Sequence, residues 1–101
     1  MKLLVITSVN QFKEQIQKIL KNNSINKYSY NEVVGHQDLK SVADRGNWFV
    51  GDRFESQSVM FFAFAPKTKI DGVFKEVELF NTNLESLSQI HISILNIEKT
   101  N

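Results

Sequence analysis

Two histidines, His36 and His91, are the residues of this chain best suited to bind a metal. Imidazole nitrogen is a good ligand for zinc, copper or nickel. The pair could hold a divalent ion if folding or assembly brought them together, with Asp38 or Asp44 completing the coordination. The plainer reading makes His36 a solvated loop residue and His91 an outward-facing strand residue. The chain has no cysteine, which excludes disulfides, zinc–thiolate sites, iron–sulfur clusters and thiol catalysis. Its carboxylates are scattered, with no pair placed for acid–base work and no nucleophile beside a base. These residue types point away from an enzyme.

A second kind of chemistry gathers in residues 35–55, Gly-His-Gln-Asp-Leu-Lys-Ser-Val-Ala-Asp-Arg-Gly-Asn-Trp-Phe-Val-Gly-Asp-Arg-Phe-Glu. This stretch holds three of the four glycines and the only tryptophan, Trp48, with Phe49 and Phe54 among alternating charges. Loops of about twenty residues are uncommon in a domain this small and tend to be functional or disordered. One reading is a hairpin extension whose aromatics pack on a sheet. The other is an effector loop that orders on a ligand or partner, with Arg45, Trp48 and Phe49 as its contact residues.

The rest of the chain supplies the elements that must position these residues. Residues 2–9 are an apolar, branched run that reads as a buried strand. Asn10 then offers an N-cap, and Phe12, Ile16, Ile19 and Leu20 form one stripe of a surface helix that ends at Lys21–Ser24. Residues 27–34 alternate as a second strand that Gly35 breaks, and residues 56–65 form a third. Pro66 stops the third strand. Thr68 to Asp71 resembles a capping box, opening a helix in which Ile70, Val73, Phe74, Val77 and Phe80 recur at helical spacing. Gly72 inside that helix costs up to about 1 kcal/mol relative to Ala. Residues 90–94 alternate as a last strand.

Strand, helix, strand, excursion, strand, helix, strand predicts one α+β domain over residues 1–101. Its topology is ferredoxin-like βαββαβ: a four-stranded antiparallel sheet with two helices on one face. Val5, Val33, Phe61 and Ile94 lie in apolar stretches that two helices cannot all cover, so self-association is expected through the uncovered face. Twelve Lys and Arg against eleven Asp and Glu leave a formal charge of +1, with no basic footprint for nucleic acid. No run approaches the ~20 apolar residues of a membrane span, and the opening Met1–Ile6 run is too short for a secretory signal. A cytoplasmic protein is expected.

Three short segments carry a resemblance to nitrogen-regulatory PII proteins. Val33-Val34-Gly35-His36-Gln37 resembles the base of their long T-loop. Arg45-Gly46-Asn47-Trp48-Phe49 resembles a segment of that loop, and Phe64-Ala65-Pro66-Lys67 the junction of third strand and second helix. The resemblance implies signal transduction by a homotrimer whose sheets face one another, with an adenine nucleotide as small-molecule effector in the clefts between subunits. Gly35 would allow close backbone approach to the ligand, with His36 and Gln37 at the mouth of the cleft. The loop would dock on a regulated partner such as a membrane transporter or efflux pump. The chain departs from PII between the second helix and last strand, where a glycine-rich phosphate-cradling loop is usual and Asn81 to Gln89 has no glycine. Glycines turn backbone amides inward cheaply, so few phosphate contacts are expected there, and a monophosphate should compete well with a triphosphate. The T-loop tyrosine that PII proteins uridylylate is also absent. A divergent member is implied, comparable to groups associated with metal efflux or bicarbonate transport. CutA-like trimers share the fold and keep the metal reading on His36 and His91 open. A small dimeric α+β-barrel enzyme with the excursion as lid is a further alternative. Other users of the topology lack their signatures here, namely the acylphosphatase phosphate loop, the metallochaperone Cys-x-x-Cys and basic neighbours for an RNA-binding sheet.

Overall fold

A computed structural model of the chain describes residues 1–38, 53–84 and 88–101. The described elements are β1 (Lys2–Val9), a 3-10 turn (Asn10–Phe12), α1 (Lys13–Asn22), β2 (Ser29–Asp38), β3 (Arg53–Ala65), α2 (Lys67–Thr82) and β4 (His91–Asn96). All neighbouring strands are antiparallel, in the order β2-β3-β1-β4. This is the expected ferredoxin-like sheet, with both helices on one face.

Strand residues alternate between faces, and the register shows which side each one serves. Leu4 and Ile6 of β1 and Val59, Phe61, Ala63 and Ala65 of β3 are buried under the helices. Ile16, Ile19 and Leu20 of α1 and Ile70, Val73 and Val77 of α2 close the core from above. Tyr28 and Tyr30 extend it along β2, each ring within 6 Å of Phe61, and the Lys13 ammonium lies 4.6 Å from the Tyr30 centroid. The opposite parity places Leu3, Val5, Met60, Phe62, Phe64 and Leu95 on the other face, which no described element covers.

Several sequence expectations need correction. Phe61 and Ile94 belong to the helix-covered face, Phe61 fully buried beside Ile6 and Ile94 opposite Leu4 at its margin; only Val5 and Val33 of the four lie on the open face. Gly35 does not break β2 but pairs with Ser56, and the ladder runs on to Asp38 opposite Arg53. A glycine weakens a strand without forbidding its ladder bonds, so the paired hairpin takes both ends of the excursion into the sheet. Asn10 caps no helix: it sits inside the 3-10 turn, and its Oδ1 is buried without a hydrogen-bond partner among the described residues. Thr68 opens no capping box either. The chain enters α2 at Pro66, whose carbonyl accepts from the amides of Lys69 and Ile70.

Gly72 leaves room for the side chain of Asn23. A Cβ there would lie 2.1 Å from Oδ1 of Asn23. That Asn23 donates to the Ile19 carbonyl and to Glu76 of α2, joining the two helices. Asn22 reaches the same carboxylate.

Candidate functional site

The ladder of β2 and β3 carries the residues expected at a ligand cleft. Gly35, His36 and Gln37 pair with Ser56, Glu55 and Phe54, and the His36 side chain is exposed. They are therefore held on adjacent strands at the far end of the sheet, where the chain leaves for residues 39–52. Arg45, Trp48 and Phe49 lie outside the described residues.

The two histidines are not brought together within one chain. His36 is on edge strand β2 and His91 on the opposite edge strand β4, three strand spacings or ~14 Å apart across the sheet. They are also offset along it, because His91 is level with Thr7 and Met60 while His36 is level with Glu55. Two ligands of one zinc stand about 2 Å from the ion, so only a second copy could unite them. Among the described residues no three metal-binding side chains cluster.

The connection between α2 and β4 is closed by one side chain. Asn81 donates from Nδ2 to the Ile90 carbonyl (2.8 Å) and accepts from the Ile90 amide at Oδ1 (2.9 Å). The Ile90 amide is thereby already occupied. The missing glycines and this clasp agree: the connection is tied to its own helix.

Sequence reasoning missed the opposite end of the sheet. A cleft of about 460 Å³ opens between the start of β2 and the end of β3, walled by Tyr28, Ser29, Phe62, Ala63 and Phe64, with Lys27 at its rim. Phe62 and Phe64 belong to the open face, whereas Tyr28 packs against Phe61 on the helix-covered one. No local motif announces it, because its walls come from strands that meet only in the fold. Phe62 and Phe64 were legible merely as part of an apolar run.

No family model and no curated protein matches the sequence significantly. Solved structures do match the fold. B. subtilis GlnK in its ATP complex superposes with a TM-score of 0.66 at 11% identity, covering 93% of this chain and 80% of GlnK. CPII of Thiomonas intermedia K12, a nitrogen regulatory PII-like protein bound to ADP, AMP and bicarbonate, gives a TM-score of 0.59 at 14% identity. That match covers 97% of this chain and 94% of CPII. The chain has the PII fold. The likeness of fold thus extends over nearly the whole chain, at an identity low enough that side chains must be judged one by one. Among the described residues no helix is long and apolar enough to cross a membrane.

Proposed function

We propose that this chain is a PII-type regulator, not an enzyme: a cytoplasmic homotrimer that senses a small molecule and controls a partner through the segment between β2 and β3. The observation that carries this reading is the open sheet face. In a chain with the PII fold, Leu3, Val5, Met60, Phe62, Phe64 and Leu95 form an apolar surface that no described element covers, and Phe64 and Leu95 are 58% and 45% exposed. Burying each such side chain against a second copy contributes about 1.5–3 kcal/mol, which favours assembly through this face.

The effector is an adenine nucleotide, bound beside Gly35, His36 and Gln37 at the far end of the β2–β3 ladder. The nucleotides in the two structural neighbours support that choice of class. Gly35, His36 and Gln37 form the base of the effector hairpin, and Arg45, Trp48 and Phe49 are the contact residues for the partner, a membrane transporter or efflux pump. The metal-binding alternative requires a second copy of the chain, because His36 and His91 lie on opposite edges of the sheet.

Light scattering tests the assembly: a mass near three times 11.7 kDa at micromolar concentration is expected, and a mass near one chain would refute it. Calorimetry with adenosine, AMP, ATP and Zn(II) on chelator-treated protein tests the effector. Binding of the adenine ligands without zinc is expected. Zinc binding abolished by His36→Ala, with no adenine ligand bound, would replace this reading with the metal-binding one.

A further inference from the structure

We propose that the corner between the 3-10 turn and the β2–β3 hairpin is a subsite of the effector cleft, in which Asn10 accepts a hydrogen bond from the nucleoside end of the effector. The inference rests on the nucleotide reading above and names the residue that reads that end. A cleft of about 190 Å³ opens at this corner, lined by Asn10, Glu32, Val33, Val34, Gln57 and Ser58. Val34 and Gln57 pair one step before Gly35 and Ser56 in the ladder, so the cleft adjoins the effector position directly.

The corner exists because the hairpin outruns the helices. Glu32 pairs with Val59, which is sealed under the helix layer, and Val34 follows on the same side at 68% exposure. The helix layer therefore stops short of Val34. Val9 pairs with Ser58, which sets the 3-10 turn that begins at Asn10 beside this step.

Two observations indicate what enters. The Asn10 Oδ1 is buried and has no hydrogen-bond partner among the described residues. An unpaired buried acceptor is unfavourable, and such a group in a folded protein calls for a partner, an ordered water or a ligand. The χ2 torsion of an amide side chain is soft, so Asn10 can turn this oxygen toward a donor in the cleft it lines. The second observation is charge. Among the residues that line the cleft, Glu32 is the one charged group, with no lysine or arginine to offset it. A carboxylate repels phosphates, so the phosphates of a nucleotide point away from it. The nucleoside, which carries amino and hydroxyl donors, points in. The volume lies below the ~300–1,000 Å³ that holds a whole drug-sized ligand, which suits one end of a nucleotide.

The test is calorimetry of the full chain with adenosine, with purine riboside, which lacks the 6-amino group, and with 2′,3′-dideoxyadenosine, which lacks the ribose hydroxyls. Wild-type protein is expected to bind adenosine about tenfold more tightly than at least one of the two analogues, because the missing donor leaves Oδ1 unpaired. The analogue that loses affinity identifies the donor as the base amino group or a ribose hydroxyl. Asn10→Leu should erase the discrimination and leave the thermal midpoint unchanged or raised, since it removes an unpaired buried acceptor. A lowered midpoint would show that Oδ1 serves the fold and would overturn the assignment. Equal affinity for all three ligands in wild type, or discrimination that survives Asn10→Leu, would overturn the subsite and leave the nucleotide reading standing. No binding of any adenine ligand, AMP and ATP included, would overturn the nucleotide reading and the subsite with it.

Discussion

The two faces of the sheet are built from the same residue types and end in opposite circumstances. Neighbouring positions of β3 supply Phe61, sealed under the helices at 1% exposure, and Phe64, open at 58%. Composition cannot tell them apart; parity can. What decides is whether this chain owns an element to lay over the side chain. The helix-covered face is completed within one chain. The other is covered by none of the described elements, and further copies of the same chain are what we propose for it.

Substitutions can break this comparison from either side. The largest effect is expected from Phe62→Lys with Phe64→Lys. Removing two rings from a shared interface forfeits about 3–6 kcal/mol per protomer, at about 1.5–3 kcal/mol each. Light scattering should give a single-chain mass while circular dichroism keeps the wild-type secondary structure. A trimer that persists would mean that the open face is not the interface. Phe61→Ala should cost about 3–5 kcal/mol in folding stability through the cavity it leaves, read as a lowered urea midpoint. A loss under 1 kcal/mol would show that the helix-covered core is loosely packed there.

Two smaller changes sharpen the picture of how the helices are fixed over their face. Gly72→Ala would ordinarily gain about 1 kcal/mol of helix propensity. Here the new methyl displaces Asn23 from Ile19 and Glu76, and a net loss of about 1 kcal/mol is expected, since each bond contributes about 0.5–1.5 kcal/mol. A gain in thermal midpoint would show that the Asn23 contacts contribute little. Ser24→Gly should instead stabilise by about 1 kcal/mol, because the left-handed φ of 60° suits glycine and strains serine. No rise in the denaturation midpoint would place that turn in another conformation.

The legible part of the fold followed from period and punctuation. The stripe Ile16, Ile19, Leu20 and the stripe Ile70, Val73, Val77 are the buried faces of α1 and α2, and Pro66 marks the start of α2. What could not be read was parity within an unbroken apolar run. Val59 to Ala65 has no polar residue to reveal which side faces inward, so the sequence does not distinguish Phe61 from Phe62 or Phe64. The strand-breaking reading of Gly35 failed because local propensity is weaker than a continuing ladder with Ser56. At the candidate site, short sequence segments marked Gly35, His36 and Gln37, and the structure holds all three on β2 paired with β3. The cleft walled by Tyr28, Ser29, Phe62, Ala63 and Phe64 was not legible, because its walls come from strands that meet only in the fold.

The Asn81 clasp has a consequence for how this chain can diverge. By gripping both backbone groups of Ile90, it fixes where β4 begins regardless of what lies between. Residues 83–89 then join two anchored ends, and doubling the length of such a segment costs only about 0.6 kcal/mol in closure entropy. A lineage carrying this clasp is free to drift, shorten or lengthen there without disturbing the register of β4 against β1. The same tolerance makes this connection the natural point for grafting a peptide tag or a new binding loop onto the scaffold.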